Sequence, residues 1–168
     1  MIYYITGGER SGKSGHAQQL ALQLSNTPKY LATSRIWDKD FQKRVDRHKN
    51  DRDERWTSIE EEKELSAVVK ESDTVVIDCV TLWLTNFFVD TKNDLEKSLK
   101  LAKDEFNKLI DISANIIIIS NEIGMGVHAS TEVGRKFTEL QGFMNQHIAH
   151  NADIAILMVS GIPVKIKP

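Results

Sequence analysis

The octapeptide Gly7-Gly8-Glu9-Arg10-Ser11-Gly12-Lys13-Ser14 fits the spacing Gly-x-x-x-x-Gly-Lys-Ser/Thr and follows an apolar run at 2–6 that reads as a strand. Such a loop can wrap phosphate only if a buried strand delivers it and a helix carries the chain away. Glycine is needed where the backbone curls and its N–H groups approach an anion, a freedom expected of Gly7, Gly8 and Gly12. Lys13 is expected to reach the β and γ phosphates and Ser14 to set its hydroxyl on Mg2+, while a helix over 13–24 points its positive end at the ligand. With glycine at about 7% of residues, the four fixed positions coincide by chance in only about one chain in a few hundred.

The rest of the chain supports that frame. Short continuous apolar runs at 2–6, 30–33, 74–79, 116–120 and 154–159 read as strands covered on both faces. Helical patterns lie at 13–24, 39–49, 60–70, 95–110 and 131–150; in one of them Leu95, Leu99, Ala102, Phe106 and Leu109 make a single apolar stripe. This alternation predicts an α/β fold of the P-loop NTPase type, a doubly wound and mostly parallel sheet within one domain over 1–168. Right-handed crossovers bring every strand's carboxyl end to one edge, where ligands bind. The turn Ser160-Gly161-Ile162-Pro163 then leads into an antiparallel edge strand at 164–166.

Composition narrows the partners. With 22 basic and 24 acidic residues well mixed and a net charge of -2, no global field favours nucleic acid or a membrane surface. No apolar stretch is long enough for a membrane span, and the chain opens straight into its first strand, so a cytoplasmic location is expected. The one cysteine, Cys79, lies in an apolar run and reads as a small buried hydrophobe.

A P-loop enzyme also calls for an acid at the end of a neighbouring strand to hold the metal's water shell, and Asp78 closes Val75-Val76-Ile77-Asp78. The alternative is that Asp78 caps the next helix. The string Gly124-Met125-Gly126-Val127-His128-Ala129 only loosely fits a dinucleotide fingerprint and reads as a ligand-edge loop. An Asn-Lys-x-Asp base-reading motif is absent, which argues against a regulatory GTPase. His147 and His150 lie three apart on a helix without an evident third ligand, so solvated or capping roles are expected. The acidic run beginning at Glu60 reads as a helix start. Trp37, Trp56 and Trp83 read as core, with Trp37 and Trp56 also flanking a long basic segment that carries Arg44, Arg47, His48, Lys49, Arg52 and Arg55.

Taken in order, Thr6-Gly7-Gly8-x-Arg10-Ser11-Gly12-Lys13-Ser14, Tyr30-Leu31-Ala32-Thr33-Ser34, Arg47-His48-Lys49 with Arg52 and Trp56, Asn121-Glu122-Ile123-Gly124-Met125-Gly126, and Val159-Ser160-Gly161 resemble the bifunctional adenosylcobinamide kinase/adenosylcobinamide-phosphate guanylyltransferase family. The resemblance covers essentially the whole chain. It implies phosphorylation of the aminopropanol hydroxyl of adenosylcobinamide by ATP or GTP, then transfer of GMP from GTP to that phosphate. By the same resemblance His48 is the guanylylated histidine. Nucleotide-binding positions fall on the P-loop, on Ser34, Arg35 and Ile36, on Lys49, Asn50, Asp51 and Arg52, on Glu60 and on Asp78. A homo-oligomer, a trimer in the family, is implied as well.

The implied chemistry suits the residue types. Phosphoryl transfer asks mainly for positioning and charge neutralisation, and no separate base need be invoked. Guanylyl transfer through histidine splits one displacement into two, and an imidazole of ordinary pKa near 6.5 is largely neutral at cellular pH. Read from the residues alone, His48 is much more readily a solvated histidine on a basic helix than a nucleophile. A simple small-molecule kinase without guanylyl transfer and a nucleotide-dependent interaction module are the other two readings.

Overall fold

A computed structural model describes residues 1–35 and 53–168. Its strands are β1 (Ile2–Gly7), β2 (Lys29–Ala32), β3 (Thr57–Glu60), β4 (Thr74–Asp78), β5 (Asn115–Asn121), β6 (Ile154–Val159) and β7 (Ile162–Lys167). The helices are α1 (Lys13–Leu24), α2 (Leu65–Val68), α3 (Val80–Asp90), α4 (Leu95–Ile110) and α5 (Glu132–Asn151). The helix expected over 39–49 lies outside the described residues.

One seven-stranded sheet runs in the order β3-β2-β4-β5-β1-β6-β7. All pairs are parallel except β6 with β7, which turn antiparallel through Ser160 and Gly161. Both turn residues have positive φ, 51° and 84°, the conformation a two-residue hairpin requires. The expected α/β fold with its antiparallel edge is therefore the observed one.

Alternation along β1 feeds two cores. Tyr3 and Ile5 face α1, packing with Ala17, Ala21, Ile117, Ile119 and Met158. Tyr4 faces the other way, joining Ile77, Ile116 and Ile118 beneath Trp83, Phe87, Phe106, Leu140 and Met144 of α3, α4 and α5. Each fully buried Ile, Leu or Phe contributes about 1.5–3 kcal/mol relative to exposure. These two layers fix the sheet, and with it the edge at which β1, β4 and β5 end.

Three expectations are corrected. The 60–70 segment is not one helix: Thr57–Glu60 pairs in parallel with β2 as an edge strand, and only Leu65–Val68 is helical. The acidic run instead forms a turn, with Glu61 Oε1 accepting from the N–H groups of Lys63 and Glu64 at 2.8 and 2.9 Å. Helix α3, absent from the sequence reading, follows β4 directly; its buried Val80, Trp83, Leu84, Phe87 and Phe88 recur at helical spacing, a stripe blurred by the apolar Leu82 and Val89 beside it and by the apolar strand run just before it. The last strand also begins earlier than 164, at Ile162.

Candidate active site

The P-loop leaves β1 at Gly7 and enters α1 at Lys13. Gly7 has φ 153°, and a Cβ there would stand 2.6 Å from the Met158 carbonyl and 2.7 Å from Ser11 Oγ. Gly12, φ 94°, precedes the first turn of α1, where a Cβ would stand 3.2 Å from Gly161 Cα. Gly8 differs from the expectation: its backbone is not left-handed, and nothing lies within 4 Å of where its Cβ would stand. The second left-handed position inside the loop belongs to Arg10, φ 55°. The loop is braced from both sides, since the Gly161 N–H donates to the Ser11 carbonyl at 2.9 Å and the Glu122 N–H to the Gly7 carbonyl at 3.0 Å.

Lys13 is buried, and its ammonium donates to the Gly8 carbonyl at 2.6 Å and lies 3.4 Å from Ser11 Oγ. Burial lowers its pKa, against the opposing charges of Asp78 and Glu9 among others. A desolvated cation held inside a ring of backbone carbonyl and hydroxyl is well placed to meet phosphate oxygens.

Asp78 ends β4, two strands from β1. Its Oδ2 accepts from Ser14 Oγ at 3.0 Å and also from the Tyr30 hydroxyl. The capping alternative is not what the geometry adopts: the residue before α3 is Cys79, and no side chain caps that helix. A hydroxyl and a carboxylate, both hard oxygen donors, form a set that fits Mg2+. Cys79 itself is buried, and burial, reinforced by Asp78, pushes its thiol up to about 12.

Beyond β2 the chain passes Thr33, whose Oγ1 both donates to the Cys79 carbonyl at 2.8 Å and accepts from the Cys79 N–H at 3.0 Å. Ser34, Arg35 and Glu60 come together on a groove of about 630 Å³ with Glu61, Glu62, Lys63 and Glu64. Arg35 reaches Glu62 at 2.7 Å and grips both carboxylate oxygens of Asp90 at 3.0 and 3.2 Å, while Lys63 meets Asp90 at 2.8 Å. These contacts raise the Arg35 pKa and hold Asp90 well below the usual carboxylate range. The candidates Ile36, His48, Lys49, Asn50, Asp51 and Arg52, and Trp37, lie outside the described residues. Trp56 packs edge-on to Tyr30 with ring centroids 6.2 Å apart.

Three residues here escaped the sequence reading. Tyr30 carries no role there beyond a strand and a family string, Asp90 lies in the helix the sequence reading lacks, and Glu122 stands only within a family string. Glu122 lines a cavity of about 430 Å³ with Gly8, Ser11, Met125, Gly126 and the end of β6. A carboxylate just past a strand end on the ligand edge was the available signal. The 123–129 loop borders a second cavity of about 430 Å³ with His128, Glu132 and Arg135. His147 serves structure, meeting Asn107 Oδ1 at 3.0 Å and Phe106 edge-on at 5.4 Å.

A mostly parallel sheet with a phosphate loop after β1 and an acid at the end of β4 bonded to the loop's serine defines a P-loop nucleotide-binding enzyme. Within that class the chain belongs to the cobinamide kinase / cobinamide phosphate guanyltransferase family, which it matches over residues 3–166. It is 34% identical to the bifunctional adenosylcobalamin biosynthesis protein CobU of Escherichia coli (strain K12), covering 99% of this chain and 100% of that protein. It is also 34% identical to CobU of Salmonella typhimurium (strain LT2), with the same coverage. The bifunctional protein CobP of Pseudomonas aeruginosa is 32% identical over 97% of this chain and 95% of its own length.

Proposed function

We propose that the chain phosphorylates the aminopropanol hydroxyl of adenosylcobinamide with a nucleoside triphosphate, then transfers GMP from GTP to that phosphate through a guanylyl-His48 intermediate. The observation that carries the reading is the Ser14–Asp78 hydrogen bond of 3.0 Å beside a braced P-loop, in a chain that belongs to this family.

In the first reaction Gly7 to Ser14 hold the triphosphate through backbone N–H groups, and Lys13 neutralises charge as it spreads over the transferred phosphoryl group. Ser14 and Asp78 hold Mg2+, which when bound draws charge from the phosphate oxygens. In the second reaction the neutral imidazole of His48 attacks the α phosphorus, the α–β bridging bond breaks, and pyrophosphate departs. Lys49 and Arg52 offset its charge. The acceptor's phosphate oxygen then displaces the imidazole, restoring His48 and yielding adenosylcobinamide-GDP. Ser34, Arg35, Ile36, Asn50, Asp51 and Glu60 contact the nucleotide.

The working form is a homo-oligomer, a trimer as in the family, acting in the cytoplasm. An uncovered apolar face supports the assembly: Ile162, Val164 and Ile166 are 65%, 44% and 56% exposed on the edge strand, with Val159 paired to Ile162. Among the described residues no helix is long and apolar enough to cross a membrane.

The test is to follow adenosylcobinamide with GTP and ATP by mass spectrometry. The phosphate ester should appear first and the GDP adduct second, with release of pyrophosphate. A reaction that stops at the phosphate ester would favour the simple kinase, and no consumption of adenosylcobinamide would reject both.

A further inference from the structure

Asn121, the last residue of β5, sits in register with Gly7 of β1, and on the other side of the same strand Ile119 sits in register with Asp78 of β4. Glu122 therefore emerges on the ligand edge between the strand that carries the P-loop and the strand that carries the metal acid. Its own N–H is bonded to the Gly7 carbonyl at 3.0 Å, which ties its position to the loop. Its Oε1 accepts from the Gly124 N–H at 2.7 Å, and a Cβ on Gly124 would stand 3.2 Å from that oxygen. Glu122 is partly buried as a residue while its hydrogen bond to Gly124 is open to solvent, and among the described residues the carboxylate meets no Lys, Arg or His and its Oε2 accepts no hydrogen bond. It lines the cavity shared with Gly8 and Ser11.

A carboxylate that no cation among the described residues neutralises repels the anion that a phosphate site exists to bind. A carboxylate fixed there by its backbone and by a glycine two residues on has a use when the second substrate is a hydroxyl.

We propose that Glu122 is the catalytic base of the phosphoryl-transfer step, and this assignment rests on the kinase reading above. The acceptor hydroxyl gives its proton to Oε2, its oxygen bonds to the γ phosphorus, and the bond from that phosphorus to the β–γ bridging oxygen breaks. The nucleoside diphosphate leaves with that electron pair. The other oxygen stays on Gly124.

Glu122→Gln keeps the Gly124 hydrogen bond and removes the basicity. With the full chain, adenosylcobinamide, GTP and Mg2+, kcat for phosphorylation should fall by about 100-fold or more with KM for GTP little changed. The variant should still take covalent label from α-labelled GTP. Gly124→Ala, which crowds the carboxylate without removing it, should lower the same kcat by a smaller factor. Phosphorylation by Glu122→Gln within threefold of wild type overturns the assignment. So does activity restored by raising Mg2+, which would make Glu122 part of the metal's shell, or equal loss of both labelling and phosphorylation, which would make its role structural. A wild type that phosphorylates no cobinamide overturns the kinase reading itself, and this assignment with it.

Discussion

Ser14 Oγ donates to Asp78 Oδ2 at 3.0 Å, joining two residues 64 positions apart in the chain. Neither motif position nor strand end alone identifies a metal site. Their contact sets a hydroxyl from the helix start and a carboxylate from β4 together beside the phosphate loop, the pair of hard oxygen donors proposed above to hold Mg2+.

Asp78→Asn keeps an oxygen for Ser14 and Tyr30 while removing the charge. Phosphorylation should then need more Mg2+, with an apparent affinity lower by about 10–100-fold. Titrating Mg2+ against turnover checks this, and an unchanged midpoint would take Asp78 out of the metal's environment.

Lys13 is costly to the fold, and the proposed chemistry requires it. Its folded pKa is lowered by burial, so below that value the unfolded chain holds the proton more tightly and the buried charge is destabilising. As pH rises through the window between the folded pKa and the ordinary value of 10.5, that cost disappears. Lys13→Met should therefore raise Tm at pH 7, with the gain shrinking toward pH 10.5, while kinase turnover falls by about 100-fold or more. A variant of lower Tm at pH 7, or one of undiminished turnover, would contradict this.

Trp83 links core to site. It is 1% exposed, stacks edge-on with Phe87 at 5.4 Å, and its indole N–H donates to the Lys63 carbonyl at 3.0 Å on the rim of the Arg35 groove. Trp83→Ala should cost about 3–5 kcal/mol in denaturant unfolding. Trp83→Phe should cost less in packing but leave the Lys63 carbonyl without its donor.

His147 gives a pH signature. Burial first, then the charges of Lys103 and His150, depress its pKa below 6.5, so the unfolded chain takes up a proton before the folded one. The contribution of His147 is present above pH 6.5 and is lost as pH falls through the window below it. Unfolding free energies for wild type and His147→Gln should converge or cross between pH 7 and 5; parallel curves would refute the shift.

How much of this was legible in the sequence depends on whether the signal was local. Gly7 to Ser14 specify a phosphate loop by spacing, and Leu95 to Leu109 specify a helix by period, with Asp94 capping it through the Lys97 N–H at 3.0 Å. Val80 to Phe88 keep the helical spacing 80, 83, 84, 87 and 88, but the apolar run of β4 leads straight into them and Leu82 adds an apolar residue off the stripe, so strand and helix merge into one apolar segment. Thr57–Glu60 was hidden for the opposite reason: as a polar edge strand it earns its conformation from hydrogen bonds to β2, which no local pattern records. The site divided the same way. Lys13, Ser14 and Asp78 could be named from motif and strand end, whereas the hold of Tyr30 on Asp78, of Asp90 on Arg35, and of the Gly7 carbonyl on the Glu122 N–H exists only once the sheet is assembled.

In the proposed reaction His48 converts a phosphoryl donor into a GMP donor. Incubation with GTP labelled at either the α or the γ phosphate tests it directly. Acid-labile, base-stable covalent label should come from α-labelled GTP alone and vanish in His48→Asn, with phosphorylation of adenosylcobinamide largely preserved in that variant. Label that persists in His48→Asn, or that comes from the γ phosphate, would contradict it.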